Sequence, residues 1–196
     1  MGTMLQAHDL TLEDFEGHEG CNEILNVTRP DVVRAVHDAY FEVGVDLVET
    51  NTFGANWANL AEYDITERIE ELAQAGARIA RESADHWSTP QQPRFVIGSV
   101  GPGTKLPTLG HAPYALLRDA YQRQVEGMLA GGVDAVLVET VQDVLQAKAA
   151  LVGARRAMDA VGSSAVLIAQ ITVETTGTML VGTETSAALV ALEPLG

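Results

Sequence analysis

The stretch Gly44-Val45-Asp46-Leu47-Val48-Glu49-Thr50 returns, lengthened by two residues, as Gly132-Val133-Asp134-Ala135-Val136-Leu137-Val138-Glu139-Thr140. Each copy follows a helical pattern closed by glycine, then runs as an apolar, largely β-branched segment into a Glu-Thr end. The copies lie two helix–strand units apart. Repetition on that scale favours a βα barrel over a doubly wound open sheet, whose halves need not repeat a strand-end sequence.

The rest of the chain follows the same grammar. Residues 1–28 read as an extended, acidic loop (Asp9, Glu13, Asp14, Glu16, Glu19, Glu23) with no Lys or Arg before Arg29. Thr28 as N-cap, Pro30 in the first turn and Asp31 at the positive end of the dipole predict a helix, carried by Val32, Val33, Val36, Ala39, Tyr40 and Val43. VDLVETNT is then a buried strand. Asp64 and Glu67 predict a capping box before a helix to about Ala84. FVIGSV is the second strand, and Pro113 opens a helix ended by Gly131-Gly132. VDAVLVET is the third strand, followed by a helix from about Val144 to Val161 closed at Gly162. AVLIAQIT is the fourth, and a last helix starts near Thr185. All four strands are too apolar to have a wet face, which predicts parallel strands with flanking helices. The expected class is α/β: a partial (βα)8 barrel with about four parallel strands.

Twelve basic against 27 acidic residues give a net charge of −15, a field that repels nucleic acid and anionic lipid. No apolar run approaches the roughly 18 residues of a membrane span, and the N-terminus lacks a secretory pattern, so a cytoplasmic protein is expected. The single cysteine, Cys21, cannot form an internal disulfide.

In parallel α/β folds the site lies at the C-terminal strand ends. Polar residues follow the apolar runs there: Glu49-Thr50-Asn51-Thr52, Ser99 with Gly101-Pro102-Gly103, Glu139-Thr140 with Gln142-Asp143, and Gln170, Thr172 and Glu174. Two carboxylates at matching strand ends suit an ammonium group or proton exchange, or else they satisfy loop amides. Gly98 to Lys105 has the last two residues of a phosphate-binding loop in the wrong order, and Pro102 and Pro107 oppose the helix such a loop needs. A close backbone approach explains those glycines better. No histidine pair has metalloprotease spacing, and no Ser-His-Asp signature is present. Composition and spacing end at a small-molecule site.

Longer motifs say more. Gly20 to Asn56, GCNEILNVTRPDVVRAVHDAYFEVGVDLVETNTFGAN, resembles the homocysteine-binding (homocysteine S-methyltransferase) domain of the cobalamin-dependent methionine synthase family. Met1 to Gln6 resembles the tail of that family's DGAMGTMLQ signature. Gly98 to Thr104 and Val138 to Asp143 resemble its later strand ends, and the resemblance runs the whole length of the chain.

The resemblance implies a βα barrel that binds homocysteine and activates its sulfur on zinc. Methylcobalamin on another domain then gives up its methyl group and methyltetrahydrofolate recharges it. Carried over by position, Gly2 and Thr3 meet the substrate's carboxylate and Glu139 its ammonium group. Glu49 and Asn51 are further substrate contacts. The family's three zinc-binding cysteines have no counterpart here, so no metal ligand is expected in this chain. The resemblance leads us to expect residues 1–196 to be an incomplete homocysteine-binding domain, with the first strand and strands six to eight lacking. A typical barrel of this type needs about 250 residues. The expected role is that of a part of a longer methionine synthase, inactive alone. A non-catalytic amino-acid binder and a self-associating half-barrel are the alternatives.

Overall fold

Four short apolar runs pair as one parallel sheet in the computed structural model of the chain, which describes residues 1–195. The strands are β1 (Leu47–Glu49), β2 (Phe95–Val100), β3 (Ala135–Val141) and β4 (Val166–Ile171), hydrogen-bonded in the order β1-β2-β3-β4. Between them run the long helices α3 (Pro30–Glu42), α5 (Ile69–Trp87), α6 (Tyr114–Ala130) and α7 (Val144–Val161). Short helices α1 (Gly2–Leu5), α2 (Leu25–Thr28) and α4 (Trp57–Leu60) and the last helix α8 (Thr185–Leu192) complete the set. The order never reverses, so the sheet has no switch point of the doubly wound kind, and α3, α5, α6, α7 and α8 pack side by side in sequence. This is the barrel-type arrangement the repeat predicts.

The core lies between sheet and helices. Val48, Val96, Val136 and Val138 point from the strands into Leu72, Ala73 and Ala77 of α5, Met128 of α6 and Leu151 of α7. Small residues let the helices approach closely. A Cβ at Gly127 would sit 2.5 Å from Glu70 O on α5, and one at Gly153 would sit 2.5 Å from Arg118 O on α6.

The expectation of fully buried strands fails on the other face. Leu47 and Phe95 are register partners, as are Ala135 with Val166 and Leu137 with Ile168. Of these, Phe95 is 45% exposed and Val166 58%. The helices leave Leu47, Phe95, Val166 and Ile168 open to solvent on the face where a closed barrel would have its interior, and the edge strand β4 is exposed along most of its length.

Three local expectations also need correction. Residues 1–28 are not an extended loop. Leu5 and Leu25 are fully buried against Val33, Val36 and Ile79, and this small core folds α1, α2 and a 3₁₀ turn over Asn22–Ile24. Thr28 is not an N-cap. It ends α2, its hydroxyl donating to Asp14 O at 2.6 Å, and Arg29 precedes Pro30 as the cap residue. The Asp64/Glu67 capping box does not form, because Asp64 is left-handed (φ 57°) at the end of a 3₁₀ turn and α5 starts only at Ile69. The helix then runs past Ala84 to Trp87. By contrast α7 has its predicted bounds, with Asp143 accepting from Leu145 N at 2.8 Å as N-cap and Gly162 left-handed at its end.

No helix among the described residues is long and apolar enough to cross a membrane.

Candidate functional site

The C-terminal ends of β1, β2 and β3 open into a cavity of about 490 Å³. β1 ends after Glu49, and beyond one last backbone bond, from Thr50 N to Ile97 O at 2.9 Å, side chains extend the pairing. Thr50 Oγ1 accepts from Ser99 N at 3.0 Å, and Thr52 Oγ1 donates to Ser99 O at 2.7 Å. The two threonine hydroxyls meet at 2.6 Å. All three residues are buried, so this polar lattice holds the mouth of β1 on β2 and fixes which way Glu49 and Ser99 face. Gln124 of α6 adds a donor to Thr52 O at 2.8 Å.

The glycine segment after β2 is the close approach expected of it. Gly101 N donates to Phe53 O at 3.1 Å, and a Cβ there would lie 2.6 Å from the same oxygen. Between Pro102 and Pro107 there is no helix, only a 3₁₀ turn over Pro107–Leu109. Asp143 clasps that turn, accepting from Thr108 N at 2.9 Å and Thr108 Oγ1 at 2.7 Å.

Glu139 is aimed by a backbone irregularity. The register between β3 and β4 shifts between Val138 and Val141, and Thr140 takes a left-handed conformation with φ 59°. Such a bulge at a strand end re-aims a side chain, and a β-branched residue holds positive φ only where its surroundings enforce it. Ser99 Oγ donates to Glu139 Oε1 at 2.6 Å and fixes the carboxylate in the cavity.

Of the sequence-predicted residues, Gly2, Glu49, Asn51 and Glu139 line this one cavity. Thr3 follows Gly2 in α1 but is exposed and not part of the lining. Asn51 is buried with its amide committed, Nδ2 donating to Asn22 O at 2.8 Å and to Asn26 Oδ1 at 2.9 Å. It anchors the N-terminal segment to β1 and leaves only Oδ1 for a ligand. Glu49 is open to the solvent of the cavity, and partial enclosure, then the charge of Glu139, raise its carboxyl above the ordinary range.

Two titratable residues of the lining, Glu23 and His37, were not among the candidates that sequence reasoning named. Glu23 is buried, its Oε1 accepting from Gly54 N at 2.7 Å, and burial pushes its carboxyl up. His37 of α3 is 1% exposed with Nε2 unpartnered among the described residues, and burial lowers it to about 4. Only the helical position of His37 was legible. Glu23 looked like the five acids preceding it. Ser99 was visible as a strand-end residue, but its bond to Glu139 was not.

The match to known proteins is continuous. The homocysteine S-methyltransferase family model matches residues 1–196. The chain belongs to the homocysteine S-methyltransferase family. Methionine synthase of Mycobacterium tuberculosis is 62% identical over all 196 residues, and that of Mycobacterium leprae 61% identical over the same span. The chain spans 16% of the length of each. Among solved structures, the metallated form of the Escherichia coli homocysteine methyltransferase MmuM aligns with a TM-score of 0.73 at 20% identity. It covers 100% of this chain and 68% of MmuM. The apo form aligns at 0.67 over 95% of this chain. These likenesses show the fold, that of four parallel strands with flanking helices in a barrel-type family.

The residues present do not fit the family's zinc. Among the described residues no group of three or more His, Cys, Asp or Glu side chains is placed to hold a metal. Cys21 is buried, and desolvation followed by the charge of Glu23 pushes its thiol up to about 12, so it offers no thiolate at neutral pH.

Proposed function

We propose that this chain supplies the homocysteine-holding part of a methionine synthase. The observation that carries the reading is the placement of Glu49 and Glu139 at the ends of β1 and β3, facing one cavity that no Lys or Arg side chain lines among the described residues. A carboxylate pair with no Lys or Arg partner on the lining suits a ligand that brings its own positive charge, such as the α-ammonium of an amino acid. In this reading Glu139, held by Ser99, is the principal ammonium partner and Glu49 the second. Gly2, on the lining, offers its backbone to the ligand's carboxylate, Thr3 beside it in α1 stands outside the lining, and Asn51 holds the wall between the site and the N-terminal segment. The 62% identity to a protein named methionine synthase supports homocysteine as that amino acid.

The methyl donor in this reading is cobalamin recharged by methyltetrahydrofolate, both on other domains of a longer polypeptide in the cytoplasm. With no fitting zinc ligands among its described residues, the chain alone binds without transferring methyl groups. Calorimetric titration with L-homocysteine tests the reading. Glu139→Gln is expected to weaken binding about 10- to 100-fold, the worth of one charge-assisted hydrogen bond. Equal affinity in the two proteins would sink the assignment. A second reading, self-association, is favoured by the exposed apolar face around Phe95 and Val166. Sedimentation at rising concentration tests it, and a persistent monomer ends it.

A further inference from the structure

The two carboxyls of the cavity are not equivalent. Glu139 is fixed by a bulged backbone and by Ser99 Oγ at 2.6 Å, with Thr140 Oγ1 a further 3.5 Å donor. Glu49, on the far side of β2, receives no hydrogen bond to its carboxyl among the described residues and faces a like charge. Where two acids share a small space and only one is furnished with donors, the proton resides on the other. The groups around Glu49 leave that conclusion intact. From α3 come His37, kept neutral by burial, and Tyr40. The turn over Asn22–Ile24 brings Glu23, whose raised carboxyl adds no fixed positive charge. The amino group of Met1, just before α1, is the one cation on the lining among the described residues and pulls the other way, as the weakest influence on Glu49.

Resting on the homocysteine reading above, we infer that Glu49 is the proton-exchanging partner of the site: the α-ammonium docks between Glu49 and Glu139 and expels the Glu49 proton, so ligand binding releases a proton. No covalent bond changes. The O–H bond of the Glu49 carboxyl breaks, the proton goes to solvent, and the carboxylate left behind pairs with the ammonium. Binding therefore tightens as pH rises through the Glu49 midpoint, by as much as about tenfold per pH unit between the midpoints of the bound and free sites. The site thereby favours ligands with a free, charged amino group. An N-acylated amino acid offers no charge to displace the proton.

The test is calorimetric titration of the full 196-residue chain near pH 5 in two buffers of different ionisation enthalpy, with L-homocysteine and with L-methionine. Methionine carries the same ammonium and no thiol proton. The expected result is a fractional proton released per ligand for both amino acids, and none for Glu49→Gln, which binds more weakly, through Glu139 alone, and is titrated at correspondingly higher ligand concentration. A carbon-detected NMR titration of the Glu49 carboxyl without ligand accompanies it. Its midpoint should lie above the ordinary glutamate value and fall in Glu139→Gln. Binding without proton release, or an ordinary midpoint that Glu139→Gln leaves unchanged, overturns this inference while the homocysteine reading stands. Absence of binding by either amino acid at millimolar concentration overturns both.

Discussion

Replacing His37 by glutamine should remove a specific part of the chain's acid sensitivity. His37 lies on the inner face of α3, 1% exposed, and burial lowers its imidazole to about 4 from the ordinary 6.5. In the unfolded chain the ring takes a proton near 6.5, while the folded protein refuses it until about 4. Between those values the unfolded state binds more protons, so the contribution to stability is complete above the unfolded value and drains away as pH falls. The loss amounts to about 2 kcal/mol by pH 5 and about 3 kcal/mol by pH 4. That is a large share of the roughly 5–15 kcal/mol by which domains are stable. Glutamine keeps a polar side chain of similar reach and does not titrate. Urea unfolding of both proteins from pH 7.5 to 4.5 checks this. The carboxylates are common to both and cancel in the difference, which should move toward the variant by about 2 kcal/mol as pH falls. A difference that stays constant within about 0.5 kcal/mol across this range would refute the claim that burial keeps His37 neutral.

Two further substitutions probe what holds the site's scaffold. Asp143→Ala removes the α7 cap and both bonds to Thr108, and is expected to cost about 3 kcal/mol in urea unfolding. Asp143→Asn keeps one acceptor oxygen and should cost about half that, so equal losses would show that the hydrogen bonds are not what matters. Gly153→Ala gains about 1 kcal/mol of helix propensity, but its Cβ meets Arg118 O at 2.5 Å and Gln122 N at 2.9 Å, backbone atoms that cannot swing aside. A net loss of about 1–2 kcal/mol and a lower Tm are expected, and a Tm at or above that of the parent contradicts the close helix contact.

Legibility followed the range of the interactions involved. α7 was readable in its bounds because Gly162 closes it locally, while Asp143, read only as a strand-end residue, proves to be its cap. β2 was readable because FVIGSV is apolar and bounded by polar turns. The Asp64/Glu67 pair carried the same kind of local signal and misled, because the chain turns at Leu60 to Asp64 before α5 can start. α1 and α2 carried no usable signal, since only the burial of Leu5 and Leu25 against Ile79 of α5 makes those short turns helical. In the site, Glu49 and Glu139 stood out because each follows an apolar strand directly. Glu23 did not, for its burial depends on Gly54, 31 residues away in the chain.

The sequence by itself determined the alternation of strand and helix, the parallel sheet, the family, and the strand ends that bear carboxylates. These follow from periodicity, from glycine and proline punctuation, and from contiguous motifs that any local reading captures. Only the tertiary structure decided that one sheet face stays open, that Ser99 steadies Glu139 while Glu49 has no donor among the described residues, and that Asn51 spends its amide on the N-terminal segment. The reason is physical. Hydrogen-bond partners and burial are properties of groups distant in sequence, set when β1, β2 and β3 align, and no local pattern encodes which of two glutamates will find a donor.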